Sequence, residues 1–124
     1  MCNDAENRYA RLWISRGLLF IAYKPGTIID IRAARKVTTD RLALQKKKTY
    51  PVFVDFREVK CADKAARDYF ATDGLVLMRC LGVLIASGAA RAIVEYYRKD
   101  HKPTIPVALF TEEKEALKYL KNYT

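Results

Sequence analysis

Short apolar runs alternate with helical repeats along the chain. Residues 8–15, RYARLWIS, interleave Tyr9, Leu12 and Ile14 with Arg8, Arg11 and Ser15, and residues 18–23, LLFIAY, form a second β-rich run. Arg16-Gly17 lies between them, and glycine accepts the positive φ of a tight turn, so the two runs predict an antiparallel hairpin that Lys24-Pro25-Gly26 brings to an end. From Asp30 the period changes: Ile31, Ala34, Val37, Arg41 and Leu44 recur every three or four residues, which predicts a helix over 31–47 with Asp30 as its N-cap. Lys46-Lys47-Lys48 would then sit at the negative end of the helix dipole. Pro51-Val52-Phe53-Val54-Asp55 is apolar on consecutive positions, as in a strand buried on both faces. Eight positions after Asp55, Asp63 opens a predicted helix over 63–72 with Ala65, Ala66, Tyr69 and Phe70 on its apolar side, and Asp73-Gly74 stops it. Cys80–Ala86, CLGVLIA, is the most apolar run and reads as the central strand, with Gly82 marking a close helix approach. Ser87 is a good N-cap for a helix with Ala90, Ile93, Val94 and Tyr97 inside. After a polar link, Pro106–Phe110 is the last strand. Thr111 then caps a helix with Glu112 and Glu113 in its first turn and Ala116, Leu117 and Leu120 inside.

The predicted order is ββαβαβαβα. Strands alternating with helices indicate an α/β fold with a mostly parallel five-stranded sheet and an N-terminal antiparallel hairpin. Residues 1–7 are expected to form a flexible N-terminus and residues 8–124 a single domain. A chain of 124 residues can bury roughly two thirds of its unfolded surface and so needs no metal or disulfide to fold. No apolar stretch approaches the ~20 residues of a membrane span, and the N-terminus lacks the basic-then-apolar pattern of a signal peptide. A cytoplasmic protein is expected.

Charge adds one feature. The net charge is +9, and residues 16–48 hold nine Lys and Arg against two Asp, or +7. Such a patch favours an acidic protein, anionic lipid headgroups or nucleic acid, although its plainer reading is a solvated face. Nucleic acid is disfavoured because no aromatic platform or reading-helix motif accompanies the charge. Cys2, Cys61 and Cys80 are odd in number and widely spaced, which argues against a disulfide framework and a zinc site. Cys80 reads as a buried small hydrophobe, and Cys61, in the 55–63 loop, as an inert thiol before a reactive one.

Candidate chemistry is sparse. His101, in the Lys99–Pro103 loop, is the only histidine, so a histidine triad or a two-histidine metal site is excluded within one chain. No Gly-x-x-x-x-Gly-Lys-Ser/Thr or Gly-x-Gly-x-x-Gly occurs. Asp55 and Asp63 could face one another as paired carboxylates, but a strand end and a helix cap account for both. Ser87-Gly88-Ala89-Ala90-Arg91 runs from a strand end into a helix start, where backbone N–H groups and Arg91 could hold a small anion or a lipid headgroup. A plain capped helix is the simpler account of the same residues.

Val52-Phe53-Val54-Asp55, Val59 and the helix-opening Asp63 resemble the STAS domain of sulfate-transporter tails and anti-sigma-factor antagonists, whose strand ends in one aspartate and whose helix follows a second. The chain over about residues 8–122 resembles a bacterial group of small, uncharacterised STAS-like proteins, sometimes linked to CRAL-TRIO-type lipid-binding domains. His101-Lys102-Pro103, Pro106–Phe110 with Thr111-Glu112-Glu113, and Ala116-Leu117 carry the C-terminal part of that likeness. The resemblance implies a non-enzymatic regulatory or protein-interaction module, a homodimer without cofactor. Its partner surface would comprise Asp55, Glu58, Lys60, Asp63 and Lys64. In anti-sigma antagonists the second aspartate precedes a phosphorylated serine, whereas Lys64 and Ala65 follow Asp63 here, so the phospho-switch is not carried over. The alternative is a binder of a small anionic ligand or lipid headgroup at Ser87, Gly88 and Arg91. No catalytic residue or metal ligand set is expected.

Overall fold

A computed structural model of the chain describes residues 3–86, 89–101 and 103–124. Its centre is the strand of the Val52–Val54 run, Tyr50–Asp55 (β5), buried from Pro51 to Val54 and paired in parallel on both sides. One neighbour is Leu18–Tyr23 (β3), which forms the predicted hairpin with Ala10–Ser15 (β2). Arg16 and Gly17 both take positive φ in the turn, +53° and +79°. This is the backbone twist that matches a two-residue hairpin to its strands. The other neighbour is Met78–Leu84 (β7), followed by Val107–Phe110 (β8). Asp4–Glu6 (β1) adds an antiparallel edge beside β2.

The sheet is therefore six-stranded, in the order β1-β2-β3-β5-β7-β8, not five-stranded. The strand over the Cys80 run starts and ends two residues earlier than expected and lies second from an edge; β3 and β5 hold the middle. Residues 4–6, read as part of a flexible terminus, are the added strand.

Ile31–Gln45 (α1), Lys64–Phe70 (α2) and Ala89–His101 (α3) are the three crossovers. All contribute to one core with Leu12, Leu19, Ile21, Val52, Val54, Leu81 and Val83: Ala33, Ala34 and Val37 from α1, Ala66 from α2 and Val94 from α3. Three crossovers on one face follow from stepping across the sheet in one direction with a constant hand. Glu113–Lys121 (α4) covers the other face through Ala116 and Leu120, against Leu18, Phe53, Cys80 and Leu84. A Cβ built on Gly82 would stand 3.3 Å from Leu120 Cγ, so the glycine does mark a close helix approach.

Asp30 caps α1 and Asp63 caps α2, each accepting from a backbone N–H three residues on, at 2.9 Å. Other boundaries moved. α1 ends at Gln45, with Lys46 and Lys47 at positive φ. Asp73–Leu75 forms a 3-10 turn rather than a bare stop. α4 begins after Glu112, whose side chain makes no cap bond, so Thr111 is not the cap. Ala65 is exposed, because α2 is short and turns only Ala66 fully inward. α3 extends through His101, which was expected in a loop.

Arg41 departs most from expectation. It is 1% exposed, on the inner face of α1, and not part of the basic surface. Its guanidinium donates to Gln45 Oε1 and, at 3.0 Å, to the Gly74 carbonyl. Gln45 Nε2 donates to the carbonyls of Lys48 and Leu77, at 2.7 and 2.9 Å. The pair thereby ties α1 to the turn before β7.

Candidate functional site

The connection from Asp55 to Asp63 leaves the carboxyl end of β5, beside that of β3, the end of an open parallel sheet where ligands and partners gather. It is not a free loop. Ile28–Ile29 (β4) and Cys61–Ala62 (β6) form a second, two-stranded parallel sheet. The Gly26 N–H donates to the Glu58 carbonyl at 2.9 Å, Lys60 N–H to Thr27 at 2.9 Å and Asp63 N–H to Ile29 at 3.1 Å. Phe56 and Val59 are buried beneath, with Phe56 edge-on to Tyr23 at 5.9 Å. The connection is thus laced to the one that follows β3, and its side chains are held on a fixed backbone.

Asp55 accepts from Arg57 Nε at 2.9 Å and from Arg57 Nη2 at 2.7 Å, a bidentate pair. Partial burial raises the Asp55 pKa. The hydrogen bonds and charge of Arg57 outweigh that and leave the carboxyl below its ordinary value. Asp63 spends one oxygen on the α2 cap. Each carboxylate has its own partner, which favours the strand-end and cap reading over paired acid–base groups. Lys64 is exposed and meets Asp68 at 2.9 Å across one helical turn, and Glu58 and Lys60 are exposed. The five residues expected to form a partner surface therefore lie on one short connection and the helix start it feeds. Arg57, absent from that set, sits between Asp55 and Glu58 on the same surface; its position two residues from Asp55 was the available signal.

At the second candidate site, Ser87 and Gly88 lie outside the described residues, and Arg91 is exposed in the first turn of α3. The basic region is thinner than its count. Arg41 is buried, Lys24 pairs with Glu6 at 2.7 Å and Lys36 with Asp40 at 3.2 Å. Arg16, Arg32, Arg35 and Lys46–Lys48 remain exposed, at the hairpin turn, on the outer face of α1 and at its end. Cys61 is exposed within β6 rather than in a loop. Cys80 is fully buried, and burial pushes its thiol up to about 11. Among the described residues no cluster of His, Cys, Asp and Glu could hold a metal ion.

Residues 12–124 match the family described as a domain of unknown function, DUF7793. The chain belongs to this family. The structure is similar to an uncharacterised protein of the DUF3478 family with a SpoIIAA-like fold from Shewanella loihica PV-4, with a TM-score of 0.63 over 94% of this chain and 98% of that one. At 11% identity that likeness shows the fold alone. SpoIIAA-like describes the STAS-type architecture, so this member of the DUF7793 family has the fold that its Asp55–Asp63 segment resembles. No curated protein matches its sequence. Among the described residues no helix is long and apolar enough to cross a membrane.

Proposed function

We propose that the protein is a non-enzymatic, cytoplasmic regulatory or protein-interaction module that docks a protein partner through Asp55, Glu58, Lys60, Asp63 and Lys64, with Arg57 among them. One observation carries this reading: the 55–64 connection is laced to residues 26–29 by backbone hydrogen bonds while Arg57, Glu58, Lys60, Asp63 and Lys64 are exposed and Asp55 half-buried beside them. A rigid backbone presenting charges of both signs gives a partner complementarity without an ordering cost. Lys64 and Ala65 after Asp63 supply no hydroxyl, so docking would be constitutive or controlled elsewhere. The module works as a homodimer in this reading. Support comes from Trp13 and Phe20, stacked at 5.1 Å and only half-buried on the sheet face that carries α4.

The test is affinity capture from the source cell with wild type and with the double reversal Lys60→Glu/Lys64→Glu, both checked for equal melting temperature. Recovery of the specific partner should fall by at least about tenfold, the scale of misplaced charge at an interface. Equal recovery sinks the surface assignment. The alternative, a binder of a small anionic ligand or lipid headgroup at Ser87, Gly88 and Arg91 with kinship to CRAL-TRIO-type domains, rests on the exposure of Arg91 alone.

A further inference from the structure

A cavity of about 80 Å³ lies between the sheet and its three-helix face, where α1, α2 and α3 converge. Its walls are almost wholly apolar, with Val37, Val83, Phe70, Ile93 and Val94 among them. Arg41, Arg67, Thr38 and the buried Tyr23 and Tyr97 complete the lining.

A fully buried arginine is normally paired with an anion, because moving an isolated charge out of water is expensive. Arg41 has no ion-pair partner among the described residues; both of its hydrogen-bond acceptors, Gln45 Oε1 and the Gly74 carbonyl, are neutral. Two acceptors also leave part of a five-donor fork unused. Burial pushes the guanidinium down to about 10. Gln45 and Gly74 explain why Arg41 ties α1 to the turn before β7. They do not explain why the tie is a cation at the wall of a cavity, since a neutral donor would serve two carbonyl-type acceptors as well.

We propose that this cavity binds a small apolar carboxylate, its tail among the aliphatic and aromatic walls and its carboxylate on Arg41. An apolar pocket with a few convergent polar groups is the usual form of a small-molecule site. The volume limits the tail: about 150 Å³ of dry cavity admits benzene, so roughly half of that suits a short or branched chain. A carboxylate supplies two acceptors in the geometry the arginine fork matches. Phe56 and Ala62 of the 55–64 connection line the cavity from beneath, but none of the proposed docking side chains nor Arg91 does, so it stands whether or not the proposed docking does.

The experiment is calorimetric titration of the full chain at neutral pH, where carboxylates are ionised, with butanoate, 2-methylpropanoate and 3-methylbutanoate. Acetate controls for the tail, and the alcohol and amine of each skeleton control for the charge. The tailed carboxylates should bind saturably and at least about tenfold tighter than their alcohols, the scale of a charge-assisted hydrogen bond. Acetate and the amines should give no saturable heat. Ile93→Trp, which fills the cavity from a half-buried position, should abolish binding, and Arg41→Lys should weaken it. If Arg41→Lys does not fold, the comparison of carboxylate with alcohol on the wild type decides alone. Absence of saturable binding by every tailed carboxylate, alcohols binding as well as acids, or unchanged binding by Ile93→Trp each overturns the proposal.

Discussion

Single residues decide more here than their number suggests. Asp63 is the clearest case. Its side chain satisfies one of the orphan N–H groups at the start of α2, and α2 has only seven residues over which to recover a loss. Asp63→Ala should lower stability by about 1 kcal/mol, read as a shift of the urea midpoint without a change in slope. Asp55 makes a pH-dependent contribution. Its carboxyl titrates lower in the folded chain than in the unfolded one, so the unfolded state binds the proton first. The stability it adds is present above the unfolded value near pH 4 and is lost as pH falls through the lowered folded value. Asp55→Asn should therefore be less stable than wild type near neutrality, and the gap should close in the acid range of a urea series. The two described cysteines should separate by exposure. Iodoacetamide followed by site-resolved mass spectrometry should label Cys61 in the native protein and Cys80 only after unfolding, because a thiolate is the nucleophile and burial keeps Cys80 protonated. Labelling of both at one rate in the native state would contradict the burial of Cys80.

At the scale of elements, the contact between Gly82 and Leu120 sets how closely α4 approaches β7. Gly82→Ala places a methyl group 3.3 Å from a fully buried leucine. It should destabilise the protein by about 1–3 kcal/mol through overpacking, and adding Leu120→Ala should relieve part of that by vacating the site. A double-mutant cycle in which the two losses simply add would show that the helix does not rest on the glycine. This approach was legible beforehand because a glycine inside a run of leucines, valine and isoleucine marks a bulge, a bend or a close neighbour. The same holds for the hairpin, the strand at Val52–Val54 and the caps at Asp30 and Asp63, where local pattern and tertiary demand agree. What escaped detection was set by tertiary contact. β4 and β6 are two residues each, too short to carry a period, and exist because two connections lie side by side. Arg41 falls on the apolar face of its helix by spacing, yet its charge also points to a surface patch, since arginine is almost never fully buried without a partner. The surface at Asp55–Lys64 was readable as a location. Its bidentate Asp55–Arg57 pair and its lacing to residues 26–29 depend on a backbone path that no spacing encodes.

A helical layer covers each face of the six-stranded sheet, and the C-terminus returns to the N-terminal hairpin. The C-terminal Thr124 reaches the hairpin turn, where a Cβ on Gly17 would stand 3.8 Å from its Cγ2, and Arg79 donates to the Tyr123 carbonyl at 2.9 Å. The antiparallel end of the sheet, β1 to β3, is thus held by β5 and also by the tail beyond α4. This arrangement should unfold as a unit. Trp13, the only tryptophan, reports on β2 at that end, stacked on Phe20 of β3. The far-ultraviolet circular dichroism signal is dominated by the helices, which pack mainly against the parallel end. If the two ends are one cooperative body, Trp13 fluorescence and circular dichroism should trace the same urea transition with one midpoint and one slope. An earlier fluorescence transition would mean that the hairpin opens as a separate unit of low stability. The tail contacts would then be too weak to couple it to the parallel sheet. Removing residues 122–124 distinguishes the causes: if the tail supplies the coupling, the truncated chain should show the split that the full chain does not, with the Trp13 midpoint falling further than the helical one.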